Sequence, residues 1–176
     1  MAEAEIVETE HGAVPRGEGW YVLNAREAQW QHDPAFGADL SFQGDARFQD
    51  LGVHLGVLEP GQPACYYHSE ENQEGFLVLN GECLLIVEGE ERLLGPWDYF
   101  HCPPGTAHVL VGAGEGPCLV FAVGARRTRE GNRYLVDEAA LRHGAGVTEE
   151  TAHGKEAYAG LPESVDGPAP DLDALS

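Results

Sequence analysis

Short apolar runs alternate with turn residues through the central part of the chain. Val, Leu, Phe and Tyr are frequent in these runs, and Gly, Pro and Asn separate them at regular short intervals. Such a rhythm, without a helical period, is typical of an all-β fold. The runs cover residues 51–58, 64–69, 75–79, 83–87, 92–94, 99–102, 108–111 and 118–123.

The turns between the runs indicate antiparallel strands. Asn80-Gly81 is the strongest two-residue hairpin signal, because a type I′ turn needs positive φ at both central residues. Glu88-Gly89 predicts a second turn. The gaps are too short for the crossovers that parallel strands need, so a meander or Greek-key arrangement closing into a jelly-roll barrel over residues 51–123 is expected.

The segments before the barrel have weaker patterns. Residues 1–19 are acidic and aperiodic, which predicts a flexible arm. Residues 20–23 are expected to form a short strand. Asn24 followed by Glu27 resembles a capping box that opens a brief helix toward Trp30.

After the barrel, the Asp start and Gly stop of residues 137–143 predict another short helix. Residues 149–176 are acidic and rich in Pro, Ala and Gly, with Tyr158 and a few leucines to tether them. We therefore expect one domain over residues 20–148, with an acidic arm at each end.

Composition and charge narrow the classes of function. The chain has 176 residues, of which 43% are hydrophobic, enough for one core. Thirty acidic residues against ten Lys and Arg give a formal charge of -20, which disfavours nucleic acids and anionic lipid surfaces as partners. No stretch of the sequence is long and apolar enough to span a bilayer, and the acidic start does not resemble a secretory signal, so a cytoplasmic location is expected.

Two smaller groups of residues leave alternatives open. Arg126, Arg127, Arg129 and Arg133 form a basic cluster, interpreted as a solvated connector or as a contact with an anion or another subunit. The four cysteines form no C-x-x-C pair and lie in apolar runs, which favours buried, reduced thiols over a disulfide or a catalytic thiol. They are Cys65, Cys83, Cys102 and Cys118.

Four polar residues in the runs or next to them have the chemistry of a metal site. In a strand His68 and Glu70 project from the same face, and Glu74 begins the next run beside them. His108, just after the Pro104-Gly105 turn, can close the site from a neighbouring strand. Imidazole and carboxylate donors on separate strands suit a divalent ion such as iron, manganese or zinc.

These residues also carry a resemblance to the cupins, a family of small double-stranded β-helix or jelly-roll barrels. The first cupin motif reads glycine, five residues, H-x-H, three or four residues, glutamate, six residues, glycine, and the second reads glycine, five residues, P-x-G, two residues, histidine, three residues, asparagine. The matching residues are Gly61, His68, Glu74 and Gly81 for the first motif, and Pro103, Gly105 and His108 for the second.

The departures from the motifs concern the metal more than the fold. Glu70 stands in place of the second histidine, six residues rather than five separate Gly61 from His68, Trp97 replaces the opening glycine of the second motif, and Gly112 replaces its asparagine. His68, Glu74 and His108 still form a set of two histidines and one carboxylate. Glu70 has three interpretations: a fourth ligand, an acid-base residue beside the metal, or a residue at the rim of a site that has lost its ion.

Strand parity proposes further residues near the site. Tyr66, Phe76 and Val78 are expected to face inward, Cys65 and Tyr67 to face the other way, and His101 either to orient a ligand or to make a structural hydrogen bond.

Cupins include oxygenases, isomerases, binding modules and storage proteins, so the resemblance implies several functions. We expect a metal-dependent enzyme acting on a small molecule, with Glu70 available for proton transfer. The alternatives are a non-catalytic small-ligand-binding or sensor protein, and a purely structural barrel. A homodimer that pairs the strand at residues 20–23 across subunits is also expected.

Overall fold

A computed structural model describes residues 1–127 and 131–175. Within them the chain forms strands in two large antiparallel sheets, one small hairpin and two short helices. The elements are β1 (Glu5–Thr9), β2 (Gly12–Arg16), β3 (Trp30–Asp33), β4 (Gly37–Ser41), β5 (Leu51–Leu58), β6 (His68–Ser69), β7 (Glu74–Asn80), β8 (Glu82–Val87), β9 (Glu90–Leu94), β10 (Tyr99–Cys102), β11 (His108–Ala113), β12 (Cys118–Ala125), β13 (Arg133–Tyr134), α1 (Glu138–Arg142), α2 (Gly154–Ala157) and β14 (Val165–Gly167).

The expected all-β jelly-roll barrel is confirmed. One sheet has the strand order β10-β7-β12-β5-β4-β3-β14 and the other β13-β6-β11-β8-β9. A strand overlaps each of the eight apolar runs, and β5 and β10 have the predicted bounds. The run at residues 64–69 forms a strand only at its end, because Ala64 and Tyr67 donate their amides to Leu110 and Ala145 outside any regular ladder.

The expectation of a hairpin at Asn80-Gly81 is wrong. β7 and β8 follow each other in the chain but belong to different sheets, so this turn passes the chain from one sheet to the other. Gly81 has φ 71°, and a Cβ there would lie 2.5 Å from the carbonyl oxygen of Pro117, which explains the glycine. The two-residue hairpin lies instead at Glu88-Gly89, where both residues have positive φ between the paired strands β8 and β9.

Residues 1–19 form regular structure where an irregular arm was expected. β1 and β2 pair as an antiparallel hairpin, and Ala4 and Ala13 are buried. Five-residue strands with a proline, Pro15, in one of them give little alternation for a sequence pattern to reveal.

The strand expected at residues 20–23 is also absent from the described structure. Trp20 makes only a single bridge to Glu3, and the amide of Ala4 donates to the carbonyl of Trp20 at 2.9 Å. The next segment makes one turn, closed by the amides of Glu27 and Ala28 on the carbonyl of Asn24, rather than a helix. Trp30 then begins β3. Its side chain is fully buried in an apolar cluster with Leu40 and Leu55.

The C-terminal segment packs on the barrel. α1 begins after Asp137, whose carboxylate accepts a hydrogen bond of 2.9 Å from the amide of Ala140, as the sequence predicts. β14 pairs with β3 and extends the seven-stranded sheet. Leu175 is buried, and with Leu172 it joins the cluster around Trp30.

Three apolar clusters stabilise the molecule. The first lies between the two sheets and includes Leu58, Val78 and Leu85. It fills one end of the barrel and leaves the other end to polar side chains. Cys83, Cys102 and Cys118 are buried, as expected, and Cys65 is partly buried; each thiol is free.

Within the described residues, the helices are too short and polar to cross a membrane.

Candidate metal centre

The polar end of the barrel brings together residues from both sheets. His68 on β6 and His108 on β11 are direct partners in the five-stranded sheet. Glu74 lies at the start of β7 in the opposite sheet and faces them. One ligand atom from each of these three side chains lies within 4.8 Å of the other two, as the spacing of the sequence predicts.

The side chains of the three residues are largely buried. The side chains of His108, His68 and Glu74 are 3%, 11% and 16% exposed. The Nε2 atom of His108 lies 3.5 Å from Oε2 of Glu74. The group is therefore largely enclosed by protein.

Backbone carbonyls orient both imidazole rings in the same way. Nδ1 of His68 lies 2.9 Å from the carbonyl oxygen of Tyr66, and Nδ1 of His108 lies 3.2 Å from that of Thr106. An imidazole that donates from Nδ1 presents Nε2 as the free lone pair, which is how metal-binding histidines are commonly fixed.

A cysteine sulfur also lies near the Nδ1 atom of each histidine. Sγ of Cys65 lies 3.6 Å from Nδ1 of His68, and Sγ of Cys102 lies 3.4 Å from Nδ1 of His108. Both cysteines were expected as buried thiols, and the expectation that Cys65 faces away from the site is wrong. Their places behind the rings depend on tertiary structure, so the sequence gives no signal for them.

Glu74 supplies the observation that tests whether an ion fits. Its Oε2 is buried and has no hydrogen-bond partner among the described residues. A buried carboxylate oxygen without a partner is costly, and a cation is the partner that would satisfy it. Two neutral nitrogens and one carboxylate also form a donor set that first-row divalent ions accept. The residues therefore fit a divalent metal ion.

The pKa values of the three residues reflect this environment. Burial, with the charge of Glu70, raises the pKa of Glu74 to about 7. Burial, with the charge of His68, lowers the pKa of His108 to about 4. Burial opposes the charged form of His68 as well, but Cys65, Glu70 and the Tyr66 carbonyl together raise its pKa.

Glu70 lies beside the group but outside it. Its Oε1 is 3.7 Å from Nε2 of His68 and accepts a hydrogen bond of 3.3 Å from Nδ2 of Asn132. The nearby imidazole of His68 is the main cause that lowers the pKa of Glu70. The expectation that His68 and Glu70 project from one wall is thus met, and the carboxylate lies next to a ligand nitrogen.

Aromatic rings form one wall of the site. The Phe76 ring lies 5.2 Å from the His108 ring and the Phe100 ring 5.6 Å from it, measured between centroids. Phe76 thus faces inward as predicted. Val78, also predicted to face inward, is buried deeper in the first apolar cluster.

Two further expectations from strand parity are wrong. Tyr66 packs against Phe36 and Tyr158 rather than facing the site, because the chain before His68 is not a strand. His101 is exposed on β10, so its neighbour Cys102 takes the place beside His108.

A pocket of about 400 Å³ adjoins the metal centre and shares Glu70 and Glu74 with it. Arg126, from the basic cluster, lines this pocket and donates hydrogen bonds to Gln43 and to the carbonyl of Phe48. It is therefore not a solvated connector. Arg129 of the same cluster lies outside the described residues.

Two departures from the cupin motifs have structural reasons. Trp97 has φ 74°, a left-handed conformation that a glycine, the residue of the motif at this position, would adopt without strain. At Gly112, a Cβ would overlap the carbonyl oxygen of Glu59, so the asparagine of the motif has no room here.

Comparison with known proteins agrees with the fold and the motifs. Residues 54–124 match the Cupin_2 family model, described as a cupin domain. No curated protein sequence matches the chain significantly. Among solved structures, the polyketide cyclase RemF from Streptomyces resistomycificus is 15% identical over 61% of this chain and 80% of that chain, with a TM-score of 0.53. This likeness concerns the fold alone.

Two further structures are similar over parts of the chain. A sugar phosphate isomerase from a cupin superfamily, from Silicibacter pomeroyi, is 25% identical over 65% of this chain and 74% of that chain, with a TM-score of 0.49. A protein from Acidithiobacillus ferrooxidans is 26% identical over 48% of this chain, with a TM-score of 0.44, and the chain spans about half of its length, 54%.

Residues 54–124 form a cupin domain, and this domain contains His68, Glu74 and His108.

Proposed function

We propose that this protein is a metal-dependent enzyme that acts on a small molecule, with oxygenase, isomerase or related chemistry. The observation that carries the proposal is the buried group of His68, Glu74 and His108, which opens into an adjoining pocket. A pocket beside a metal-binding group gives a ligand direct access to it.

Each residue of the site would have its own role. His68 and His108 hold the ion through Nε2, and Glu74 contributes a negative charge. A divalent ion of iron, manganese or zinc supplies Lewis acidity toward a substrate oxygen. Phe76 and Phe100 exclude water from the inner wall.

Glu70 is assigned to proton transfer. Its carboxylate lines the pocket, and Asn132 donates a hydrogen bond that fixes its orientation. It lies outside the group of three ligand atoms, which favours an acid-base role over a fourth ligand position.

Metal titration tests the proposal. Chelator-treated protein is titrated with Fe²⁺, Mn²⁺ and Zn²⁺, and we expect one ion per chain. His108→Ala should weaken binding by more than about tenfold, because even changes to residues behind the ligands cost about that much. His101→Ala is the matched control, since this histidine is exposed on the neighbouring strand, and it should bind as the wild type does.

Turnover separates the enzyme from a binding protein. A panel of small-molecule substrates is tested with wild type and His108→Ala, after circular dichroism shows that both are folded. Activity that His108→Ala abolishes supports an enzyme. Metal and ligand binding without turnover of any substrate would favour the sensor or binding module, and failure to bind any ion would contradict the proposal.

We also propose that the protein is a homodimer. An edge strand, β10, carries the exposed Tyr99 close to the exposed Trp97, and exposed aromatic residues at a sheet edge favour association. Light scattering at micromolar concentration that shows only a 19.0 kDa species would contradict it.

A further inference from the structure

The pocket beside the metal centre has a lining that the proposed chemistry does not use. Besides Glu70 and Glu74, two arginines and a histidine surround it, from segments far apart in the sequence. The lining residues are Arg47, Gly52, His54, Glu70, Asn72, Glu74, Ala122, Val123, Gly124, Ala125, Arg126 and Asn132.

Glycines form the floor between the two ends of this pocket. Gly124 pairs with Glu74 on one side and with Gly52 on the other, so all three lie in one row across the sheet. A Cβ at Gly124 would lie 3.6 Å from Oε1 of Glu74, and a Cβ at Gly52 would lie 3.2 Å from Nε and from Nη2 of Arg126. The missing side chains leave room between the carboxylate and the guanidinium.

Arg126 is held at the far end of this row. Its Nη1 donates to Oε1 of Gln43 at 2.6 Å and to the carbonyl of Phe48 at 2.9 Å. The edge formed by Nε and Nη2 lies over Gly52, on the pocket side. A guanidinium anchored by one nitrogen, with its other edge toward a pocket, is suited to bind a carboxylate or phosphate through two hydrogen bonds.

A second positive charge faces the same space. Arg47 lines the pocket, and burial, followed by the charge of Arg47, lowers the pKa of Arg126. Among the described residues neither arginine forms an ion pair within 4.0 Å with a carboxylate. In a chain with only ten Lys and Arg and a charge of -20, two such cations at one pocket are unusual.

His54 adds another hydrogen-bonding group to the pocket. Its Nδ1 lies 3.1 Å from Oδ2 of Asp39 on the adjacent strand β4. Its Nε2 lies on the pocket side, 3.5 Å from the position of a Cβ at Gly52. The Asp39 carboxylate accepts a hydrogen bond from Nδ1 and fixes the ring, so Nε2 is available to accept a hydrogen bond from a hydroxyl group of a ligand.

We propose that this pocket binds a small organic oxyanion, with the carboxylate or phosphate group on Arg126 and Arg47, a polar group at His54, and the rest of the molecule directed toward His68, Glu74 and His108. The orientation toward the metal centre rests on the proposed function, whereas the anion site at the two arginines does not. Carboxylate and phosphate are recognised by the same hydrogen-bond donors, so two probes distinguish them.

Calorimetric titration of inorganic phosphate and of acetate into chelator-treated protein tests the anion site. Saturable one-to-one binding of either probe is expected, and Arg47→Gln should weaken it by about tenfold, because a charge-assisted hydrogen bond is lost. Arg47 is exposed, so this variant should fold normally. Arg92→Gln, an exposed arginine on β9, is the matched control and should bind as the wild type does.

A second variant tests the shape of the pocket. Gly52→Ala places a methyl group against the Arg126 guanidinium and should weaken probe binding, while metal stoichiometry, measured on the same samples, stays unchanged. Phosphate binding without acetate binding would assign a phosphate-bearing ligand, and the reverse a carboxylate. Absence of binding by both probes, or binding that Arg47→Gln and Gly52→Ala leave intact, would overturn the anion site even if the metal binds. Probe binding in protein that takes up no metal would uphold the anion site and contradict only the proposed function.

Discussion

The two ends of the barrel are built on the same neighbouring strands, but the residues of these strands that face inward differ between the ends. At one end β7 and β12 present Val78 and Val120, which pair across the ladder and are almost fully buried in the first apolar cluster. At the other end the same strands present Glu74 and Gly124, with Gly52 beside them on β5. A shift of a few residues along one ladder thus separates a packed core from an open polar site.

This difference shows how the fold can accommodate a carboxylate whose burial costs free energy. One carboxylate oxygen of Glu74, Oε2, is buried without a hydrogen-bond partner among the described residues, which destabilises the metal-free protein. The apolar end supplies the hydrophobic burial that offsets this cost. We therefore expect substitutions at the apolar end to change stability, and substitutions at the polar end to change binding.

The largest expected effect is on stability at the apolar end. Leu58→Ala removes a side chain that is 3% exposed in the first cluster, and it should lower the free energy of unfolding by about 2–5 kcal/mol. Metal affinity of the folded protein should stay unchanged. Urea denaturation measures the change, with Leu51→Ala as the control because Leu51 lies on the same strand but is 48% exposed. Equal losses in the two variants would contradict the distinction.

At the polar end, a substitution is expected to have a smaller effect on stability and to stabilise the metal-free protein rather than destabilise it. The pKa of Glu74 is raised to about 7 in the folded protein, so its protonated form stabilises the metal-free fold below about pH 4.5, and this stabilisation is lost as the pH rises through 7. Between pH 5 and 8, the metal-free wild type should therefore lose on the order of 2–3 kcal/mol relative to Glu74→Gln.

Denaturation of chelator-treated protein at both pH values checks this prediction. Glu90→Gln, at an exposed position on β9, is the control and should follow the wild type. If Glu74→Gln shows the same pH dependence as the wild type, the Glu74 carboxylate does not have the raised pKa.

The smallest expected change in binding concerns Glu70. If Glu70 is a proton-transfer residue outside the ligand group, Glu70→Ala should change the metal affinity by less than about threefold. Removal of a metal ligand would instead lower the affinity by about tenfold or more. Turnover should fall strongly. Metal titration and kinetics on the same preparation separate the roles, and a loss of affinity greater than tenfold would place Glu70 among the ligands instead.

The sequence predicted the barrel well, because alternation with period two and turn residues are local signals. β5, β10 and α1 were found with nearly the observed bounds. The hairpin of β1 and β2 was missed, since its strands are short and polar. The turn at Asn80-Gly81 was assigned to the wrong role, because local turn chemistry does not determine which sheet the next strand joins.

The candidate site was predictable only in part. His68, Glu74 and His108 were identified from spacing and strand parity. Cys102 and Arg126 were not, because they reach the site through strand pairing and loop packing, which no short sequence pattern records.

Anomalous X-ray diffraction from crystals grown with Zn²⁺ or Mn²⁺ tests the metal centre most directly. The predicted result is one strong peak at the polar end of the barrel, about 2.0–2.2 Å from Nε2 of His68, Nε2 of His108 and a carboxylate oxygen of Glu74. A structure with no peak there at saturating metal, or with its peak on surface carboxylates alone, would contradict the assignment of this group as a metal centre.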